Sequence, residues 1–225
     1  MIKALIFDLD DTLYLERDFV MSGYRTVAQF LSKSDAYDVE SLFSCMAETH
    51  SAEGRHRVFP VLLERFRISS ITLSELVHIY RQHDPAIHLF PGYMDLLQEL
   101  ACSYRLGVIT DGLPAIQARK VRALELERVM DKILYTWDYG ADKEKPDPFS
   151  FSLMLEYFHA DPESVLVVGD NPDKDCKGAH GAGIRCAQVQ HPTVSRTRSG
   201  VVMQEAPEFI VDTLFQLPQI LRHLN

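Results

Sequence analysis

Two carboxylates stand two residues apart in Asp8-Leu9-Asp10, directly after the apolar run Ala4-Leu5-Ile6-Phe7. One acid of such a pair can act as a nucleophile while the other delivers a proton. The apolar run reads as a strand buried on both faces, which puts Asp8 and Asp10 at its carboxyl end, where open α/β sheets place their active sites. The competing reading is turn chemistry, in which Asp and Thr residues cap whatever follows. Three later segments, each at or after an expected strand, carry groups suited to phosphate or metal. They are Thr110-Asp111-Gly112, Lys145-Pro146-Asp147-Pro148, and Gly169-Asp170 with Asp173 and Asp175 close behind. Singly they read as a turn, a surface loop and a helix start. Their joint order is what carries weight.

The elements that must position these residues follow from hydrophobic periodicity. Strands are expected at Ala4 to Phe7, Leu106 to Ile109, Lys132 to Tyr135, Val165 to Val168, Arg185 to Val189 and Phe209 to Val211, with helices at Met94 to Ala101, Pro114 to Ala123, Pro148 to Phe158, Lys174 to Ala182 and Leu214 to Leu224. This alternation indicates an α/β fold, a parallel sheet covered on both faces. Between the first and second strands, apolar residues recur at spacings of three to five, as in Phe19, Tyr24, Val27, Phe30 and Leu31, which predicts four helices. Breaks fall near Ser34-Asp35 and Ser69-Ser70, and Thr72 with Glu75 fits a capping box. The expected organisation is a core of residues 1–14 and 88–225 with a helical unit, 15–87, inserted into it. Gln190 to Gly200 reads as a solvated loop. Met94, Leu97 and Leu100 read as one face of a core helix, so nothing here requires a dimer and the oligomeric state is not legible.

Composition narrows the classes. The chain has 225 residues, of which 46% are hydrophobic and 24% charged, as in an ordinary globular protein able to bury a substantial core. No apolar stretch approaches the roughly 20 residues that span a bilayer, and the amino terminus runs into the first strand without a signal-peptide pattern, so a cytoplasmic protein with no membrane partner is expected. The formal charge of −9 argues against nucleic acid as a partner, because phosphate neutralisation needs clustered Lys and Arg. Cys45, Cys102, Cys176 and Cys186 form no C-x-x-C pair, which reads as reduced, mostly packed thiols and not as a zinc site.

Taken together, the motifs resemble those of the haloacid dehalogenase-like hydrolase superfamily. These are D-x-D-x-T as Asp8-Leu9-Asp10-Asp11-Thr12, Thr110, Lys145, and G-D-x-x-x-x-D from Gly169 to Asp175. The resemblance covers the whole Rossmann-like core, and the insertion resembles the helical cap of that family's phosphatase branch. It implies that Asp8 attacks phosphorus to form an aspartyl-phosphate, while Asp10 protonates the leaving oxygen and then deprotonates the hydrolytic water. It also implies Mg²⁺ on the Asp8 carboxylate, the Asp10 backbone carbonyl and Asp170, with Asp175 and Asp173 around the metal-bound waters. Lys145, the Thr110 hydroxyl and the backbone N–H groups of Asp111 and Gly112 would hold the phosphate. Asp111 departs from the family pattern, which often has Asn there, so a loop-orienting role replaces a side-chain contact. Lys145 is preferred over Lys143 because it directly precedes Pro146, which restricts it to extended geometry.

The presence of Asp10 argues against dehalogenation, since dehalogenating relatives lack that carboxylate. The expected activity is Mg²⁺-dependent hydrolysis of a small phosphorylated metabolite such as a nucleoside monophosphate or sugar phosphate. A sugar-phosphate mutase and a catalytically idle relative that binds a phosphorylated ligand or a protein remain as alternatives. Specificity is expected in the cap, where Arg17, Arg25, Arg55, His56 and Arg57 are candidates to meet the substrate, and Tyr14 and Phe19 read as packing.

Overall fold

The computed structural model describes residues 1–34, 37–194 and 206–225. The break expected at Ser34-Asp35 and the loop expected over 190–200 lie partly outside them. The chain divides into two compact units, one of Met1–Glu16 with His88–Asn225 and one of Arg17–Ile87.

The chain opens with β1 (Ala4–Phe7), every residue of which is buried. Next come α1 (Glu16–Ser34), α2 (Val39–Glu53), α3 (Val58–Arg65) and α4 (Leu73–Gln82). Two of these helices start on side-chain caps. Asp38 accepts from Ser41 N at the head of α2, and Thr72 and Glu75 form a reciprocal capping box at α4. Inside this helical unit Phe19, Tyr24, Phe59 and Tyr80 make edge-on and tilted ring contacts with centroids 5.6–6.1 Å apart. Phe19 is thus packing, as its position suggests.

The sheet unit resumes with α5 (Tyr93–Ala101), β2 (Arg105–Thr110), α6 (Pro114–Ala123), β3 (Lys132–Tyr135), α7 (Phe149–Phe158), β4 (Val165–Gly169), α8 (Asp175–Gly181), β5 (Arg185–Val189), β6 (Phe209–Val211) and α9 (Leu217–Leu224). All six strands are parallel, in the order β3-β2-β1-β4-β5-β6. Element limits differ from expectation mainly at helix starts. Leu214–Gln216 is a 3-10 turn and α9 begins beyond it, with Pro218 in its first turn, where a missing N–H costs nothing. The buried face of α5 is Tyr93, Leu96, Leu97 and Leu100, with Met94 only half-buried. No helix among the described residues is long and apolar enough to cross a membrane.

One expectation fails. Cys176 on α8 and Cys186 on β5, both fully buried, form a disulfide with their Cα atoms 5.2 Å apart, and Cys45 and Cys102 are the free thiols. Sequence spacing carries no sign of the pair, because it depends on α8 packing back over the sheet. Thiol titration of the unfolded chain should therefore find two reactive cysteines without reductant and four after reduction. Four in both states would contradict the pairing.

What matters for function is the register. Phe7 lies opposite Val108 of β2 on one side and Val168 of β4 on the other, so three strands release their chains at the same edge. Strand order reverses at β1, whose neighbours are β2 and β4, and such switch points leave a crevice beyond the carboxyl ends.

Candidate active site

Asp8 is the first residue past β1, and its N–H donates to Val168 O at 2.9 Å. The chain then turns sharply. Leu13 N donates to Leu9 O at 3.0 Å, and Asp11 adopts a left-handed φ of 58° that Asp tolerates better than most residues. The Asp11 carboxylate accepts from Glu16 N at 2.9 Å, closing the turn. Thr12, fully buried, explains the last position of the motif. Its hydroxyl donates to Asp8 Oδ2 at 3.2 Å and accepts from Asp170 N at 3.0 Å, tying the end of β1 to the end of β4.

Lys145 enters from the loop before α7, where its bond to Pro146 is cis. Its Nζ lies 2.5 Å from Asp8 Oδ1 and 2.7 Å from Asp175 Oδ1, and donates to Ile109 O at 3.2 Å. Burial alone would push this ammonium's pKa down, but Asp175, Asp8 and Asp111 more than reverse that, so Lys145 stays charged. On Asp8, burial is the main influence. It raises the carboxyl well above its usual range, Asp175 and Asp170 add to the rise, and Lys145 opposes it. Lys143 is 33% exposed and sits 3.6 Å from both Asp142 and Asp147, so it takes no part in the cluster.

Asp8, Asp170 and Asp175 each offer a carboxylate oxygen, all within 4.8 Å of one another. The close approach depends on Gly169, because a Cβ there would come 2.3 Å from Asp175 Oδ2. Asp175 is already committed on both oxygens, one to Lys145 and the other to Asn171 N at 3.0 Å. It therefore acts as the lysine's counter-ion and a brace for the loop as well as a member of the acidic cluster. Asp173 is exposed and lies outside this group. An all-oxygen, acidic donor set fits a hard divalent cation such as Mg²⁺.

On the β2 side, Thr110 is buried at the strand end, and Gly112 has φ 109°, a conformation that requires glycine. Asp111 holds the loop through three donors on its carboxylate. Thr136 Oγ1 lies at 3.0 Å, Lys145 N at 3.1 Å and Lys174 Nζ at 3.1 Å. Its carbonyl accepts from Gln117 Nε2 at 2.6 Å. Asp in place of Asn therefore serves the scaffold, because its second oxygen accepts from Lys174 where an amide NH₂ would donate.

The fourth cluster surrounds Asp10. Lys120, on α6 and only 3% exposed, reaches both carboxylate oxygens at 2.7 and 2.8 Å, and the buried Tyr14 hydroxyl donates to Oδ1. Burial and the Asp10 charge push the Tyr14 phenol well above its usual pKa, which keeps it a neutral donor. Neither residue was expected at the site from sequence. Lys120 shares the buried face of α6 with Gln117 and Val121, and a lysine recurring on an otherwise inward face was the available signal.

The helical-unit candidates are placed differently. Arg17 on α1 is exposed, as are Arg55, His56 and Arg57 in the 3-10 turn after Gly54. Arg57 pairs with Glu53 at 3.2 Å. Arg25 is occupied within its own unit, paired with Glu40 and stacked 4.0 Å over the Phe43 ring.

Residues 5–189 match the family model described as haloacid dehalogenase-like hydrolase. The chain is 27% identical to the glyceraldehyde 3-phosphate phosphatase of Methanopyrus kandleri, across 100% of this chain and 99% of the relative. It is 32% identical to the phosphoserine phosphatase of Thermus thermophilus, across 83% and 88%. Among solved structures it superposes on the magnesium-bound HAD-hydrolase YfnB of Bacillus subtilis with a TM-score of 0.71 at 20% identity, covering 98% of both chains, which bears on the fold alone. The chain belongs to the haloacid dehalogenase-like hydrolase family, in its phosphatase branch.

Proposed function

We propose that this enzyme hydrolyses a small phosphomonoester in a Mg²⁺-dependent reaction through an aspartyl-phosphate on Asp8. The observation that carries the reading is a buried, charged Lys145 between Asp8 and Asp175, with a second acid, Asp10, two residues beyond the nucleophile. An Asp8 oxygen forms a bond to phosphorus as the ester P–O bond breaks, and Asp10 gives its proton to the departing alcohol oxygen. Water then attacks phosphorus while Asp10 takes up a proton, the bond to Asp8 breaks, and inorganic phosphate leaves. Lys145, the Thr110 hydroxyl and the N–H groups of Asp111 and Gly112 hold the phosphoryl oxygens. Mg²⁺, held by the Asp8 and Asp170 carboxylates and the Asp10 carbonyl, would supply the positive charge that lets a phosphate approach so acidic a site. Asp175, through Lys145, keeps that arrangement fixed.

Substrate choice falls to the inserted helical unit acting as a cap, with Arg17, Arg25, Arg55, His56 and Arg57 as its cationic candidates. The relatives named above act on glyceraldehyde 3-phosphate and phosphoserine, which supports a small, singly phosphorylated metabolite. Phosphate release across a metabolite panel containing both compounds tests the proposal. The expected result is turnover of at least one member, abolished by chelator and restored by Mg²⁺. Turnover indifferent to chelation, or none on any member, would overturn it.

A further inference from the structure

The Asp10 carboxylate is held by two buried side chains, Lys120 and Tyr14. Lys120 Nζ is forked across both carboxylate oxygens at 2.7 and 2.8 Å, and the Tyr14 hydroxyl donates to the oxygen nearer the lysine. Lys120 is 3% exposed and Tyr14 fully buried, whereas the Asp10 side chain is 25% exposed. Such burial is costly for a lysine unless its partner is fixed, so the contact is a strong constraint on the Asp10 carboxylate. A methionine or leucine would fill the same place on α6 without burying a charge.

We propose that Lys120, with Tyr14, is a positioning residue for the proposed acid–base group, fixing the direction in which the Asp10 carboxylate faces the leaving oxygen. A carboxylate with two free torsions loses much of its effect as a proton donor when its aim is lost. Lys120 touches neither substrate nor the phosphoryl group. It acts through Asp10. The inference rests on the phosphatase reading above.

The test compares wild type, Lys120→Met, Asp10→Asn and the double variant on two esters. One is an alkyl phosphate, whose leaving group needs a proton, and the other is 2,4-dinitrophenyl phosphate, whose leaving group does not. A wild type that is active, with Asp8→Asn inactive, secures the enzyme reading first, and a wild type inactive on both esters removes both readings. With the reading secured, Lys120→Met should lower kcat/KM on the alkyl phosphate by about tenfold or more and change it by less than about threefold on the dinitrophenyl ester. On the latter, kcat and KM should fall together, because hydrolysis of the aspartyl-phosphate still needs Asp10 as base. In the Asp10→Asn background the Lys120 substitution should add less than about threefold, since the two act as a unit. Tyr14→Phe, which keeps the ring in its packing, should show the same substrate pattern to a smaller degree. Equal losses of kcat/KM on both esters, or losses that multiply in the double variant, would assign Lys120 a merely structural role and overturn the inference.

Discussion

Asp8→Asn should lose turnover by roughly 10⁴-fold or more while the protein stays folded. The amide matches the carboxylate in shape but has no nucleophilic oxygen, so the phosphoryl group has nowhere to go. Loss of activity through unfolding is not expected, and the electrostatics of the cluster say why. Burial already pushes the Asp8 carboxyl toward its neutral form, and the charges of Asp175 and Asp170 add to that push. An uncharged group there relieves repulsion, while Lys145 keeps Asp175 at 2.7 Å as its counter-ion. Asp8→Asn should therefore unfold in urea at a midpoint equal to or above that of wild type. A variant with normal turnover of an aryl phosphate would refute the nucleophile assignment. A variant that is inactive only because it is unfolded would refute the account of the charge cluster.

Lys145→Met should fail in both respects. Activity should fall by roughly 10³-fold, because the site loses the cation that offsets two carboxylates against an incoming phosphate. Stability should fall by about 3–5 kcal/mol, since removing one partner of a buried ion pair leaves the others uncompensated. The pH dependence separates this from a packing defect. Lys145 in the fold has a pKa above its ordinary value, so its stabilisation is complete below about pH 10.5 and is lost only as pH rises through the folded value. The wild type should thus keep this contribution across the neutral range. In Lys145→Met, acidification should return part of the loss, because a proton on Asp8 removes its repulsion with Asp175. Urea unfolding of both proteins between neutral and acidic pH measures the difference, and a gap that stays constant would contradict the electrostatic explanation.

The strands were legible because a parallel sheet covered on both faces needs unbroken apolar runs, and Ala4–Phe7 and Val165–Gly169 are fully buried. Asp8, Thr110 and Asp170 were legible for a related reason, each being the polar residue at which such a run stops. Lys145 stood apart from Lys143 only through Pro146. The holders of Asp10 were not legible. Lys120 meets Asp10 across 110 positions of sequence, and that contact exists only once α6 packs beside the end of β1. Tyr14 read as packing, and its ring does pack, but periodicity says nothing about where a hydroxyl points. The Cys176–Cys186 pair escaped in the same way, being a contact between a helix and a strand that meet only in the folded sheet unit. For Asp111 the sequence pointed to a loop-orienting side chain but not to its three donors, Thr136, Lys145 and Lys174, which come from segments that no local pattern connects.

The nucleophile assignment is open to direct chemical inspection. Enzyme quenched in acid during turnover and treated with borohydride should have its acyl-phosphate reduced, converting the modified aspartate to homoserine, which peptide mass mapping locates. The account places homoserine at position 8, only in samples quenched with substrate, and not in Asp8→Asn. Homoserine at another aspartate, or rapid turnover without any reducible acyl-phosphate, would contradict it.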